Sequence, residues 1–289
     1  MNRLIQPVSG FINVDKEIGV SSAREVAVIK RLTCTPCGHL GTLDPMAGGV
    51  LPVAIGNATR LFDYFLAKRK RYVAEFKFGV STDTLDTTGT VLQTSVAIPT
   101  EEDIERVLPS LVGEILQIPP AYSAKSVNGV RSYKLARSGE KVELPPKKVS
   151  VGEFRLLGRV DESTFRFEIE CGGGTYIRSL ARDLAAAMDT FAAMSALTRT
   201  ESGGFKIENS VKTHILTYEN INEYLIPTDS VLPYPKVKLS PFDEKRYTNG
   251  LPVRLNLAAG QYRVYRAEGS FYGVGVSDGT SLKSRLKLC

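Results

Sequence analysis

Asp44 is the only carboxylate in the glycine-rich run Gly38–Pro52, GHLGTLDPMAGGVLP. Gly41, Gly48 and Gly49 accept backbone angles that other residues avoid, and without side chains they let a ligand come close. A carboxylate in such a setting can work as a general acid–base or as a nucleophile. The same residues fit a plainer role. Asp44 followed by Pro45 is a common helix start, cap and first position, and two glycines shortly afterwards would cut that helix to about one turn. This stretch alone leaves both readings open.

Other residue types with chemical reach lie further along. Tyr72, Ala74, Phe76, Phe78 and Val80 alternate with Arg71, Val73, Glu75, Lys77 and Gly79, so Tyr72 points inward beside the basic run Lys68–Arg71. It is either a core tyrosine with a satisfied hydroxyl or a functional one. Gly172-Gly173-Gly174-Thr175 is a glycine turn feeding a helix, a good anion site; it lacks the Lys-Ser/Thr ending of a nucleotide P-loop. Arg178 falls in the first turn of that helix, where a cation opposes the helix dipole and asks for an acidic partner. Ser81 to Gly89 is a polar loop carrying Asp83 and Asp86, without EF-hand spacing. Cys34-x-x-Cys37 with His39 invites a metal, but a closed zinc site needs four ligands, and Cys171, His214 and Cys289 are isolated. No metal site is expected.

The elements that must position these groups follow from periodicity. Phe11 to Lys16 reads as a strand. Ser22 and Glu25 have capping-box spacing ahead of a helix with Val26, Ile29 and Leu32 on one side. Val50 to Gly56 is an apolar stretch suited to burial, and a helical piece runs to Leu66. Thr100 to Leu111 reads as a helix capped by Thr100 and Asp103, shortened or kinked by Pro109. Pro119 to Lys125 is extended and leads to a basic stretch, Arg131 to Arg137. Thr164 to Cys171 alternates, which buries the Cys171 thiol. Ile177, Leu180, Ala181, Leu184 and Met188 form a helix face, and Leu197 to Phe205 reads as a strand entering a turn. Pro233-Tyr234-Pro235 marks a domain junction. Beyond it, strands at Gln261–Arg266 and Phe271–Val276 between glycine turns suggest a small β-barrel.

With 289 residues, 43% apolar and 24% charged, the chain has the composition of a folded protein with one large and one small domain. The N-terminus lacks a signal-peptide pattern, and no apolar run reaches membrane-spanning length. Four scattered cysteines fit a reducing cytoplasm better than a disulfide framework. The net charge of +6 is concentrated: residues 236–289 hold ten Lys/Arg against four Asp/Glu, and the rest of the chain balances. A basic module on a neutral body points to a polyanionic partner.

Taken together, Gly38-His39-x-Gly41-Thr42-Leu43-Asp44-Pro45, Gly49-Val50-Leu51-Pro52, Lys70-Arg71-Tyr72, Thr82-Asp83-Thr84-x-Asp86, Gln117-x-Pro119-Pro120-x-Tyr122-Ser123-Ala124, Gly174-Thr175-Tyr176-Ile177-Arg178 and Leu197-x-Arg199-Thr200 resemble the TruB-type tRNA pseudouridine-55 synthases. The blocks cover most of residues 11–210. The tail, with Asn249-Gly250 and Gly273-x-Gly275, resembles a PUA-type RNA-binding domain more loosely. The resemblance implies a mixed α/β fold with a largely antiparallel central sheet, a catalytic domain over residues 1–235 and a PUA-like domain over 236–289. It implies that Asp44 is the nucleophile, that Tyr72 packs on the target base and acts in proton transfer, and that Arg178 pairs with Asp44. Leu197 would line the uracil pocket, His39 would fill the space left by the extruded base, and Asp86 would help hold the flipped-out arrangement. Gly41, Thr42, Leu43, Tyr122, Lys125 and Tyr176 complete the substrate-facing set, with Lys68 and Arg71 as basic RNA contacts. Ser126 stands where a lysine is usual, and Cys34 and Cys37 have no counterpart in the family.

The implied reaction isomerises uridine to pseudouridine in the T-loop of tRNA. It oxidises, hydrolyses and transfers nothing, so no cofactor is expected. The implied protein is a cytoplasmic monomer with no membrane association and no obligatory protein partner. Three other readings compete: a guide-RNA-dependent pseudouridylase, a non-catalytic tRNA-binding or folding protein, and a glycosidase using Asp44 and Asp86 as its carboxylate pair.

Overall fold

A computed structural model describes residues 9–122 and 144–288, together with the backbone of two short strands at 126–127 and 130–131. The alternating and apolar runs pair into one nine-stranded sheet. Strands β1 (Gly10–Lys16), β2 (Cys37–His39), β3 (Gly48–Ile55) and β4 (Lys70–Phe78) come from the first quarter of the chain. A hairpin of β5 (Val80–Thr82) and β6 (Val91–Thr94) follows, then β7 (Gly113–Gln117) and the short pair β8 (Ser126–Val127) and β9 (Val130–Arg131). β10 (Lys147–Arg159), β11 (Thr164–Cys171), β12 (Ala192–Ser202) and β13 (Phe205–Lys206) complete the large sheet, to which neither the β5–β6 hairpin nor the β8–β9 pair belongs. The order is β1-β3-β12-β4-β11-β10-β7, with β2 on β3 and β13 on β12. Every pairing is antiparallel except β3 with β12.

Five helices stand among the described residues: α1 (Ser22–Thr33), α2 (Phe62–Leu66), α3 (Glu101–Val107), α4 (Ile177–Ala186) and α5 (Pro241–Thr248). Ile177, Leu180, Ala181 and Leu184 of α4 join Tyr72, Phe76 and Leu197 in the main core, so α4 presses its first turn against the inner face of β4 and β12. The cap of α1 is Ser21, which accepts from the Arg24 N–H. Ser22, the residue at capping-box spacing, is instead inside the first turn and turned toward another loop. The reciprocal capping box of Thr100 and Asp103 is present, and Pro109 confines the α-helix to Val107, with a 3₁₀ turn after it. The piece ending at Leu66 is a 3₁₀ turn, Gly56–Leu61, running into α2.

Residues 236–288 form a second sheet, β14 (Lys236–Lys238), β15 (Gly260–Tyr265), β16 (Phe271–Ser277) and β17 (Leu282–Lys287), four strands in that order rather than a closed barrel. It has its own core around Tyr247, Val264 and Leu282. Val274 and Leu288 pack into a further apolar cluster with Phe11, Leu61, Phe65 and Phe205 of the body. No helix among the described residues is long and apolar enough to cross a membrane.

Candidate active site

Asp44 lies within the segment between β2 and β3. Its carbonyl accepts from the Ala47 N–H at 3.0 Å, so Asp44-Pro45-Met46-Ala47 is a tight turn and no helix starts there. Pro45 at the second position of a turn supplies the φ that the turn requires. The Asp44 side chain, 37% exposed, reaches Arg178, whose side chain is 6% exposed; Oδ2 and Nη2 are 2.9 Å apart. This is the acidic partner that an arginine in the first turn of α4 calls for. The guanidinium also donates to the carbonyls of Thr84 (2.8 Å) and Tyr122 (3.0 Å), and Asp86 lies 3.6 Å from Nη1. Asp86 is fixed in turn: its Oδ1 accepts from the Thr84 hydroxyl and from the amide and hydroxyl of Thr88. Arg178 is therefore aimed at Asp44 by a fully bonded loop.

Three buried side chains clamp the segment that carries Asp44. Ser22 donates its hydroxyl to the Leu43 carbonyl and accepts from the Leu43 amide, both at 2.9 Å. Lys16, 1% exposed, donates to the carbonyls of Ala47 (2.6 Å) and Glu17 (3.0 Å). Arg199, also 1% exposed, donates to Val50 (2.7 Å) and Gly41 (3.0 Å). Gly49, with φ +93°, lies so close to the Arg199 backbone that a Cβ would overlap it. Charged donors to carbonyls are among the stronger hydrogen bonds, and here they bridge segments distant in sequence.

The cavity above Asp44 has a volume of about 210 Å³ and is walled by Tyr72, Leu197, Lys70, Tyr176 and the glycine turn at 172–174. That is small beside typical small-molecule pockets and suits a single planar base. Burial pushes the Tyr72 phenol above its ordinary range, opposed by the nearby Arg199 guanidinium. Burial and then Arg199 bring the Lys70 ammonium down to about 8. Lys16 is lowered mainly by burial as well.

Of the residues singled out from the sequence, Gly41, Thr42, Leu43, Asp44, Tyr72, Tyr176, Arg178 and Leu197 share this cavity. Asp86 and the Tyr122 carbonyl stand behind it, on Arg178. His39 is on β2, half-buried, with Nδ1 lacking a hydrogen-bond partner among the described residues; burial and then Arg199 lower its pKa. Lys68 lies over the Tyr64 ring, 4.3 Å from its centre. Arg71 sits on the opposite face of β4 from Tyr72, in ion pairs with Glu153, Glu168 and Glu170. Lys125 and the stretch Arg131–Arg137 lie outside the residues whose side chains are described. No group of three or more potential metal ligands occurs among the described residues. Lys16, Lys70 and Arg199 have no individual site role in the sequence reading, and Ser22 has only a capping one. The available signal was alternation, which puts Lys70 on the inner face with Tyr72, and Arg199 on that of Leu197.

The chain resembles known proteins in sequence and in fold. A family model described as TruB family pseudouridylate synthase (N terminal domain) matches residues 30–177. A protein named tRNA pseudouridine synthase B from Clostridium novyi is 39% identical over 284 residues, covering 96% of this chain and 98% of its own. One of the same name from Synechocystis sp. is 38% identical over 294 residues, covering 96% and 99%. Among solved structures, that of a Cbf5-Nop10-Gar1 complex contains a chain with a TM-score of 0.71 at 24% identity, over 97% of this chain and 85% of that one. This last likeness extends over both sheets and shows the fold.

Proposed function

The chain belongs to the TruB family of pseudouridylate synthases, and we propose that it isomerises uridine-55 in the T-loop of tRNA, with Asp44 as the reacting carboxylate. Relatives that match nearly end to end are named tRNA pseudouridine synthase B, which supports tRNA as the substrate. The observation that carries the assignment of Asp44 is its pairing with buried Arg178 at the floor of a cavity sized for one base.

The reaction breaks the bond from N1 to C1′, turns the base and joins C5 to C1′; N1 gains a proton and C5 loses one. A uridine inside an RNA loop must first leave its stack, at a cost of a few kcal/mol. Leu197 and Tyr72 offer the extruded base an apolar slot. Asp44 acts covalently at C1′ or at C6, or takes the C2′ proton to give a glycal; each route uses the free face of its carboxylate while Arg178 holds the other oxygen. The high pKa of Tyr72 gives this phenol the part of a proton carrier, since a phenolate base would be scarce near neutrality. Residues 1–235 form the catalytic part in this reading, and the basic residues 236–289 a PUA-like RNA contact. The fit of Asp86 as a glycosidase partner is poor, because its carboxylate is committed to Arg178, Thr84 and Thr88.

Tritium release from 5-tritiated uridine in T-arm RNA tests the proposal. Wild type should release tritium without added guide RNA, and Asp44→Asn should release none while still binding RNA. Free uracil as product, or release by Asp44→Asn equal to wild type, would overturn it.

A further inference from the structure

Lys70 is an ammonium built into the wall of the active-site cavity without an anion to neutralise it. It is 6% exposed and donates to the carbonyls of Leu66 (3.1 Å) and Lys68 (3.0 Å), which leaves one of its three N–H groups uncommitted. It forms no ion pair among the described residues. Its charged and titratable neighbours do not supply one either. Arg199 on β12 repels it. Cys171, directly across on β11, has a thiol pushed up to about 11 by burial and stays neutral. Tyr72, two residues along β4, holds its proton, and Asp44 across the cavity is engaged by Arg178.

The backbone around this ammonium is bare. A Cβ on Gly41 would lie 3.5 Å from Lys70 Cε and 3.7 Å from Arg199 Nη1. A Cβ on Gly173 would lie 3.6 Å from Lys70 Nζ and would collide with the Leu66 carbonyl. Lys147 Nζ would be 3.4 Å from a Cβ on Gly174. Glycines on two segments thus expose peptide groups beside a pair of lysines, at the edge of a cavity sized for one base. Burying a cation without a counter-charge is costly. The cost makes sense if the substrate delivers the missing anion.

We infer that Lys70 holds a phosphodiester flanking the target uridine, with the glycine turn at 172–174 and Lys147 as the remainder of the phosphate seat. The inference rests on RNA being the substrate. It ties binding to a proton. An arriving phosphate raises the proton affinity of the ammonium beside it, so RNA binding takes up a proton once Lys70 is partly neutral, and affinity falls as pH rises through about 8. An arginine at this position would keep its charge and lose that dependence.

The test uses T-arm RNAs in which the phosphate on the 5′ or on the 3′ side of the target uridine is replaced by a neutral methylphosphonate. One of the two should raise KM for wild type roughly 10- to 100-fold, the worth of one charge-assisted hydrogen bond, and abolish the rise in KM above pH 8. Lys70→Gln should show a similar loss on natural RNA and little further loss on the neutral RNA, while Lys70→Arg should give a KM flat across pH 8. Equal penalties from the neutral linkage in wild type and Lys70→Gln, or no penalty from either linkage, would overturn the inference. So would a rate that rises through pH 8 and is lost in Lys70→Gln, which would make Lys70 a base. Pseudouridine formation by wild type on natural RNA is the control that separates failure here from failure of the assigned activity.

Discussion

Arg178 is the side chain through which most of the site is assembled. One guanidinium meets the Asp44 carboxylate, the Asp86 carboxylate and the carbonyls of Thr84 and Tyr122, and only a planar fork of five donors can do so at once. Arg178→Lys keeps the charge and loses the fork. The single-turnover rate of pseudouridine formation should fall by about two orders of magnitude, with KM changed only slightly, because the lost contacts aim Asp44 and do not grip RNA. The buried lysines make a second prediction at this scale. Lys70 binds its proton less tightly folded, at about 8, than unfolded, at 10.5. Between those values the unfolded chain carries more protons, so stability rises with pH. Lys16 acts in the same direction. From about pH 9 the buried Cys171 thiol, raised to about 11, acts in the opposite direction, and above pH 10 the buried phenols of Tyr72 and Tyr247, raised by burial, join it. Denaturant unfolding should therefore show wild type gaining stability from pH 8 to 9, and Lys70→Met gaining less.

At the scale of elements, the decisive contacts are side chains of flanking elements holding the backbone of the Asp44 turn. Ser22 on α1 makes two of these, both buried. Ser22→Ala should lower unfolding free energy by about 1–3 kcal/mol, since it leaves the Leu43 amide and carbonyl unpaired. It should also lower kcat more than it raises KM, a split that simple destabilisation would not produce in fully folded enzyme. Such clamps are hard to read from sequence, because they join residues separated by 21 to 158 positions and leave no local pattern. The alternation of β4 and β11 was legible because one face is apolar core and the other carries the ion pairs of Arg71, Glu153 and Glu168. The start of β12 was not. Ala192-Ala193-Met194 is buried without a break, as in a strand covered on both faces, and alanine and methionine favour helix, so neither period nor propensity marked it. Asp44 was the reverse case: its local pattern fitted a helix cap, and the turn it makes was decided by the glycines and by Lys16 gripping Ala47.

For the molecule as a whole, charge and packing both bear on how tRNA is held. The sequence sets a basic module apart in residues 236–289, and Tyr247 and Leu282 of that stretch belong to an apolar cluster of their own. Its docking surface does not favour detachment. Val274 and Leu288 bury Leu61, Phe65 and Phe205 of the body, and Arg60 donates to the Lys287 carbonyl at 2.9 Å. Removing residues 236–289 would uncover that apolar cluster, so lost RNA binding after truncation would mix misfolding with lost charge. Substitution separates the two. Arg60 and Arg285 line a groove of about 430 Å³ between the two parts, beside Tyr64 and Tyr234, and exposed Lys287 follows on the same strand as Arg285. Exposed cations around aromatic rings are the usual means of following a nucleic-acid backbone. Replacing Arg60, Arg285 and Lys287 together by alanine should lower thermal stability only slightly, by the one exposed bond from Arg60 to the Lys287 carbonyl, while the apolar cluster stays covered. It should weaken tRNA binding at low salt and make the dependence of log Kd on log salt shallower by about two to three charges. The rate at saturating tRNA should stay at the wild-type value, because none of the three residues reaches the Asp44 cavity. An unchanged salt slope would mean that tRNA is held by other surfaces of the body, and that the net charge of the tail serves something other than the substrate.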